Sequence, residues 1–136
     1  MTDADDGATL FVYGTLTDPE RVADVVAEFA FRGPAVLRGL APVQARYPTL
    51  APGERTTGRL LDVADVAPVD DYEGVDRGLY VRVAVPSADG DPVATYVGDP
   101  AKLGVADDVD WPGDGPLAER VRAYVHDHEV RVELAD

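Results

Sequence analysis

The side chains of this sequence that could carry out chemistry are almost all carboxylates. Its 136 residues include 26 aspartates and glutamates, two histidines, one serine and no cysteine. Without cysteine the chain has no disulfides, no thiolate nucleophile and no zinc-thiolate site. His126 and His128 lie in a charged stretch near the C-terminus, where we expect surface positions, and they could bind a metal only with several carboxylates. Ser87 lies in a predicted hairpin loop, which argues against a Ser-His-Asp triad and leaves the carboxylates as candidate acids and bases.

Glu73 stands out among these carboxylates by its position. It follows a short helix predicted over residues 65–72, in which Val69 and Tyr72 share an apolar face. Gly74 comes next and would end that helix. A glutamate held there would lose part of its hydration, and desolvation raises a carboxylate pKa towards values that suit a general base. By position alone, Glu73 is explained equally well as a helix-terminal residue without a chemical role.

A second candidate is the stretch of residues 10–16, which has the sequence Leu-Phe-Val-Tyr-Gly-Thr-Leu. Its apolar residues predict a buried strand, and Gly14 then allows backbone conformations that are closed to other residues. Thr17 or Asp18 could cap a helix that has Pro19 at its first position. A strand that ends in a tight loop before a helix leaves backbone N–H groups that can hold a carboxylate or a carbonyl oxygen. An ordinary first strand followed by a turn explains the same residues.

Other patterns predict the elements that must position these two stretches. Strands are predicted at residues 9–13, 35–40, 56–63, 79–86 and 93–97, and further helices at residues 19–29 and 116–126. Residues 42–45 could extend the second strand, and residues 130–134 fit either a last strand or a continuation of the helix. Residues 46–54 and 99–115 are predicted as loops because of their proline, glycine and aspartate. Five or more strands with few helices predict an α+β fold, a small bent mixed β-sheet or barrel with two to three flanking helices.

Single residues within these segments carry further predictions. Gly58 lies inside a predicted strand, which indicates a bulge or the close approach of a ligand. Asp89 and Gly90 predict the tight turn of a hairpin between the strands on either side of them. Trp111 lies in an acidic loop and could either cover a pocket or anchor that loop on the core.

The charge of the chain is strongly negative. Twelve basic residues against 26 acidic ones give a formal net charge of −14, and Lys102 is the only lysine. Such a surface repels itself at low ionic strength and is screened by salt. Because the acidic residues are spread along the whole chain, we interpret them as a halophilic adaptation to a salt-rich cytoplasm; an acidic patch for a basic partner is the alternative. The charge argues against nucleic-acid binding, which needs clustered lysine and arginine.

Length and hydropathy predict one packed domain. Hydrophobic residues make up 46% of the chain, which is enough for a core. We expect residues 1–8 to form a disordered acidic tail and residues 9–136 to form the domain. No apolar run approaches the roughly 20 residues of a membrane-spanning helix, and the start of the chain lacks the pattern of a secretion signal. The expectation is a cytoplasmic protein that does not bind membranes.

Two separated motifs resemble those of the gamma-glutamylcyclotransferase-like family, in the family's order. Residues 11–16, Phe-Val-Tyr-Gly-Thr-Leu, are similar to its N-terminal strand and substrate-binding loop. Residues 69–75, Val-Asp-Asp-Tyr-Glu-Gly-Val, with the strand at residues 79–83, are similar to the stretch that holds the family's catalytic glutamate and a Tyr-x-Arg strand. Weaker matches are residues 46–50 and 94–97. The resemblance covers residues 9–98 and fades in the acidic C-terminal third.

This resemblance implies a small mixed barrel and a reaction on gamma-glutamyl amines or peptides. The α-amino group of the substrate attacks its own γ-carbonyl, the amine leaves and 5-oxoproline is released, with no metal or organic cofactor. Glu73 would take a proton from the α-ammonium and pass one to the leaving amine. The N–H groups of residues 14–16 would hold the glutamyl carboxylate or the developing oxyanion. The implied substrate-binding residues are Tyr13, Gly14, Thr15, Leu16 and Tyr80.

The sequence departs from the family at one point. Many relatives carry an arginine directly after Tyr-Gly-Thr-Leu, whereas Thr17, Asp18 and Pro19 follow here, which changes a charge near the pocket mouth. Family members act on glutathione, gamma-glutamyl amino acids, gamma-glutamylamines or acyl carriers, so the substrate stays open. Arg82 is expected to be a structural, solvated strand residue. A non-catalytic binding module that senses a gamma-glutamyl or carboxylate metabolite is the alternative function.

Overall fold

Two long antiparallel strands form the centre of the fold in the computed structural model, which describes residues 7–44, 48–88 and 92–134. The six strands are β1 (Ala8–Val12), β2 (Phe29–Val43), β3 (Thr49–Val63), β4 (Tyr80–Val85), β5 (Val93–Gly98) and β6 (Arg131–Leu134). The three α-helices are α1 (Pro19–Val25), α2 (Ala67–Glu73) and α3 (Leu117–Asp127), and two short 3-10 turns cover Thr15–Thr17 and Val75–Arg77.

The strands form one curled mixed sheet in the order β4-β5-β1-β3-β2-β6. Only the β1–β5 pair is parallel within the described ranges, and the other neighbours are antiparallel. The sheet curls until its two ends meet: the Val132 N–H donates to the Pro86 carbonyl oxygen at 2.9 Å, and the Ala88 N–H donates to the Val132 carbonyl oxygen at 3.0 Å. The result is a half-barrel with three helices, which confirms the predicted α+β fold.

The core fills the curled sheet and extends under α3. Leu10, Leu37 and Leu61 from three neighbouring strands are fully buried. Fully burying an aliphatic side chain of this size contributes about 1.5–3 kcal/mol, so these strands are held mainly by packing. Trp111 is buried as well, and its ring meets that of Tyr124 on α3 edge to face, with centroids 5.5 Å apart. Of the two roles considered for Trp111, the structure supports the anchor that fixes the acidic loop on the core.

The predicted helix over residues 19–29 was too long, and the strand that follows it was too short. Helix α1 ends at Val25, and β2 begins at Phe29, where it pairs with Val63 of β3. The pair Gly33 and Pro34 does not interrupt β2, because a register shift after Phe31 absorbs the irregularity and Gly33 adopts a φ of 126°. Pairing with β3 along its whole length therefore outweighs the local breaker residues.

The predicted loop over residues 46–54 was also partly wrong. Strand β3 begins at Thr49, and Pro52 lies within it, opposite Leu40 of β2. Gly58 has no bulge, and its close neighbour is the β1 backbone rather than a ligand: a Cβ there would meet the carbonyl oxygen of Val12. A glycine at position 58 thus lets β1 pack closely against β3.

Several predictions fall on residues outside the described ranges. These are the tail at residues 1–6, residues 45–47 in the predicted loop, and the turn at Asp89 and Gly90. Ala8 already belongs to β1, one residue earlier than predicted. Residues 131–134 form a strand, which decides between the two alternatives for the C-terminal segment. Among the described residues no helix is both long and apolar enough to cross a membrane.

Candidate active site

A cavity of about 410 Å³ lies between the sheet and the helices α1 and α2. It is lined by Phe11, Val12, Tyr13, Gly14, Leu16, Arg21, Pro48, Tyr72, Glu73, Arg77, Leu79, Tyr80 and Tyr96. The structure therefore brings five of the six predicted site residues to one cavity. The sixth, Thr15, lies between Gly14 and Leu16 in the same turn.

The floor of the cavity is formed where β1 ends and the chain turns. The Thr17 N–H and the Thr17 hydroxyl both donate to the Gly14 carbonyl oxygen, at 3.1 and 2.7 Å, and close the turn Thr15–Thr17. The N–H groups of Thr15 and Leu16 stand at the start of this turn, where the turn itself contains no acceptor for them. A carboxylate or carbonyl oxygen in the cavity would therefore find donors here.

Helix α1 begins directly after this turn, as the sequence predicted. The Asp18 side chain accepts a hydrogen bond from the Glu20 N–H at 3.0 Å, and Pro19 occupies the first helical position. Val22 is buried and fixes the helix on the core. Arg21 precedes Val22 and points a cation to the cavity wall, which sequence analysis missed. A positive charge at the cavity wall is therefore supplied from α1.

Glu73 is the last residue of α2, and its helix ends at Gly74. Gly74 has φ 73° and ψ 33°, a left-handed conformation that glycine adopts without strain, and its N–H donates to the Asp71 carbonyl oxygen at 3.1 Å. The buried Val69 anchors the helix on the core. The predicted helix boundary at Gly74 is confirmed, and at the other end the Asp65 side chain accepts from the first N–H of the helix at 3.1 Å.

The Glu73 carboxyl combines burial with access to the cavity. Burial raises its pKa from 4.5 to about 7, because loss of hydration destabilises the ionised carboxylate more than the neutral acid. Among the described residues, no hydrogen bond or ion pair to this carboxyl offsets the loss of hydration. At neutral pH the group is therefore poised to accept a proton in one step and to return it in another.

Three tyrosines form the sheet side of the cavity. The Tyr13 hydroxyl donates to the Tyr96 backbone carbonyl at 2.5 Å, and the Tyr80 hydroxyl donates to the Pro48 carbonyl at 2.6 Å. Burial, and then the neighbouring Tyr80 and Glu73, raise the Tyr13 pKa well above its ordinary value. The Tyr13 phenol therefore stays protonated, and the Tyr13 and Tyr80 hydroxyls are both held by backbone acceptors, so these two rings form rigid walls around Glu73.

Asp70 links α2 to two strands of the sheet. Its two carboxylate oxygens accept from the Tyr96 hydroxyl at 2.7 Å and from the Arg82 guanidinium at 2.6 Å. Burial, followed by the hydrogen bond to Asp70, raises the Tyr96 pKa, so this phenol also remains a donor. Arg82 is thus structural, as predicted, but it is an ion-pair partner of α2 rather than a free surface residue. Sequence analysis missed both Asp70 and Tyr96.

Two further candidates lie away from the cavity. His126 and His128 are exposed at the end of α3, as predicted, and the His128 ring stacks on Tyr124 with centroids 4.1 Å apart. In the described part of the chain, no three histidine, aspartate or glutamate side chains are grouped so that they could hold a metal ion.

Comparisons with known proteins agree with this geometry. The family model described as "Gamma-glutamyl cyclotransferase, AIG2-like" matches residues 10–112. A search of the curated proteins finds no match. Among solved structures, a protein named "Gamma-glutamyl cyclotransferase" is 14% identical, covers 89% of this chain and 99% of its own, and superposes with a TM-score of 0.57.

Two further solved structures are similar in the same way. An uncharacterized protein from Homo sapiens is 15% identical, with 88% of this chain and 98% of that chain covered and a TM-score of 0.58. An uncharacterized protein from Pyrococcus horikoshii is 16% identical, with 89% and 98% covered and a TM-score of 0.54. At these identities the likeness shows the fold alone. The family model, however, spans both motifs and most of the chain, so the chain belongs to the gamma-glutamyl cyclotransferase, AIG2-like family.

Proposed function

We propose that the protein is a gamma-glutamylcyclotransferase-type enzyme in which Glu73 is the general acid/base. It would convert a small gamma-glutamyl amine or peptide to 5-oxoproline and release the amine. The observation that carries the proposal is the Glu73 carboxyl, which has a pKa of about 7 and lines the same cavity as the turn after β1. A base of that pKa is half ionised at neutral pH, which suits a reaction that needs one proton removed and one supplied.

The reaction itself places modest demands on the protein. Ionised Glu73 takes a proton from the α-ammonium of the substrate, and the freed amine attacks the γ-carbonyl carbon to close a five-membered ring. The carbon–nitrogen bond to the leaving amine then breaks as protonated Glu73 gives its proton to that nitrogen. The ring nitrogen gives up its second proton to the released amine, which leaves as an ammonium ion. Because attack is intramolecular, the enzyme has mainly to fold the substrate, and effective molarities for such ring closures reach about 10⁵–10⁸ M.

The other cavity residues have positioning roles in this proposal. The N–H groups of the turn Thr15–Thr17 would hold the glutamyl carboxylate or the oxyanion that forms on the γ-carbonyl. The hydroxyl groups of Tyr13 and Tyr80 already donate hydrogen bonds to backbone carbonyls, so these side chains would shape the pocket rather than transfer protons. Every step uses groups of the chain and the substrate, and the proposal needs no cofactor.

The test is the release of 5-oxoproline by wild-type protein and Glu73→Gln. A panel of gamma-glutamyl compounds is incubated with each protein in high salt, and 5-oxoproline is detected by mass spectrometry. We expect Glu73→Gln to fold and to lose about 10²–10⁴-fold in rate, the range for removal of a general acid/base. Glu119→Gln, the same change at an exposed position of α3, is the matched control.

The outcomes separate the enzyme from the alternative. Full activity of Glu73→Gln would show that another group is the base. Calorimetry that detects binding of a gamma-glutamyl compound to the wild-type protein without turnover would favour the sensing module instead. The Glu73 carboxyl in the cavity supports the enzyme, because binding an anionic metabolite does not require a second carboxylate.

A further inference from the structure

Two arginines stand at the helical side of the cavity. Arg21 comes from α1 and Arg77 from the 3-10 turn Val75–Arg77 that follows α2. Both side chains are exposed, so they lie where the cavity opens to solvent, whereas the tyrosine wall is on the sheet side. With Glu73 they are the three charged residues among those that line the cavity. We call Arg21 and Arg77 the arginine pair.

Within the described part of the chain, the arginine pair lines the cavity without an acidic partner, although the chain has a net charge of −14. In the described ranges four arginines are ion-paired with carboxylates, Arg32, Arg38, Arg82 and Arg131. The other described arginines without such a partner lie outside the cavity lining. Over the same ranges neither Arg21 nor Arg77 has a hydrogen bond or an ion pair to an acidic side chain. In a protein with 26 acidic residues, two cations left without such a partner at one cavity mouth are available for an anion that comes from solution.

The turn that carries Arg77 is held firmly at this position. The Lys102 ammonium donates to the Arg77 backbone carbonyl at 2.7 Å, and the Gly78 N–H donates to the Val75 carbonyl at 3.0 Å. The Arg77 guanidinium lies over Gly74, where a Cβ would come within 2.9 Å of its Nη2 atom. These backbone hydrogen bonds therefore fix the point from which the Arg77 side chain extends, a few residues after Glu73 in the chain.

The location of the arginine pair indicates which part of the substrate it would meet. The α-amino group and the γ-carbonyl of the substrate must both lie beside Glu73, because Glu73 takes a proton from the first and gives one to the amine that leaves the second. The substituent on the leaving amine then extends away from the reacting atoms, towards the open mouth. A carboxylate on that substituent would reach the arginine pair, whose planar donors match a carboxylate well.

We propose that the arginine pair is a specificity subsite for a carboxylate on the leaving amine. The protein would then prefer gamma-glutamyl amino acids or peptides over gamma-glutamyl amines that lack this carboxylate. The inference rests on the proposed function and makes it narrower, because it names the class of leaving group. The subsite also offsets the repulsion between an anionic substrate and a protein of net charge −14.

A matched pair of substrates tests the proposal. Gamma-glutamylalanine and gamma-glutamylethylamide differ only in the carboxylate of the leaving group. We expect wild-type kcat/KM for 5-oxoproline release to be about tenfold higher with the first, which is a difference of about 1.4 kcal/mol in transition-state binding. Arg21→Gln and Arg77→Gln should each lower kcat/KM for gamma-glutamylalanine and leave gamma-glutamylethylamide nearly unchanged. Arg122→Gln, at an exposed position of α3, should keep the full preference.

The possible results are distinct. Equal kcat/KM for the two compounds in the wild-type protein would overturn the subsite. So would equal losses for both compounds in Arg21→Gln and Arg77→Gln, because the arginine pair would then bind the glutamyl carboxylate that both share. If neither compound yields 5-oxoproline, the proposed function has failed, and calorimetric Kd values for the two compounds still measure the preference and decide the subsite. Because both arginines are exposed, we expect the variants to keep the wild-type Tm.

Discussion

Replacing Glu73 with glutamine should stabilise the folded protein at alkaline pH although it removes the proposed general base. Burial in the cavity wall raises the Glu73 pKa from 4.5 to about 7, so the folded state disfavours the ionised carboxyl. In the unfolded chain the same carboxyl is hydrated and ionises near its ordinary pKa. The wild-type protein therefore holds an unfavourable charge whenever the pH is high enough to ionise Glu73.

The sign of the effect follows from proton binding. Between pH 4.5 and about 7 the folded state keeps the Glu73 proton and the unfolded state has lost it, so the free energy of unfolding falls as the pH rises. The penalty is absent below that window and complete above it. At about 1.4 kcal/mol for each pKa unit, the change from 4.5 to about 7 gives an upper bound of about 3.5 kcal/mol. Water in the open cavity screens the charge, and we expect about 2 kcal/mol.

The assay is urea unfolding of wild-type protein and Glu73→Gln at fixed high salt, at about pH 4.5 and about pH 8. The free energy of unfolding of the variant, relative to wild type, should rise by about 2 kcal/mol between the two pH values. The glutamine amide does not titrate, so any effect of the amide itself is the same at both ends. Glu119→Gln should show no such change, because this carboxyl is exposed. If the difference in the free energy of unfolding between Glu73→Gln and wild type is the same at both pH values, the Glu73 carboxyl is not desolvated. Its pKa would then not lie near neutrality, and the proposed acid/base role would fail.

Two further predictions concern the attachment of α2 and the acidic surface. Asp70→Ala leaves the Tyr96 hydroxyl without its acceptor and breaks the ion pair with Arg82, so the free energy of unfolding should fall by about 1–3 kcal/mol. Asp70→Asn keeps an acceptor for Tyr96 and should lose less; equal losses in urea unfolding would contradict the importance of that hydrogen bond. The net charge of −14 predicts that the wild-type Tm rises from low to molar salt, because salt screens the repulsion among carboxylates. A Tm that is constant over this range would show that the acidic surface is not an adaptation to salt.

Local sequence patterns were sufficient to predict the short and regular elements of the fold. The alternation at residues 79–86 and 93–97 predicted β4 and β5 to within a residue at each end, and the apolar face of residues 116–126 predicted α3 equally well. Each of these segments is short and regular, and each is bounded by proline, glycine or aspartate. In such segments the side-chain period alone distinguishes strand from helix.

The two longest strands could not be predicted from local patterns. Gly33 and Pro34 interrupt the sequence of β2, and Pro52 interrupts that of β3, yet both strands run for 15 residues. Each strand supplies the partner that the other needs across these breaks, and that pairing is visible only when both are placed side by side. Phe29 illustrates the same point, since it fits the helical period of residues 19–29 and in the fold belongs to β2.

The candidate site likewise contains residues that local sequence patterns predicted and residues that they did not. The turn after β1 and Glu73 were singled out by their own neighbourhoods, because a glycine follows an apolar segment in both. Asp70 was not, since its partners Arg82 and Tyr96 lie 12 and 26 residues further along the chain. Arg21 and Arg77 gave no signal either, because an arginine beside acidic residues on a helix or turn is indistinguishable in sequence from an ordinary surface cation.

The position of Glu73 therefore depends on residues that take no part in the proposed chemistry. A helix of seven residues such as α2 has little stability of its own, because isolated helices below about 12–15 residues are marginal in water. Val69 fixes α2 on the core, Asp70 ties it to β4 and β5, and Gly74 ends it so that the chain can turn to Arg77. A desolvated carboxyl weakens the fold where it stands, and these attachments to the sheet supply the free energy that holds it beside the cavity. Substitutions at Asp70 should consequently change the rate through the position of Glu73, even though Asp70 does not line the cavity.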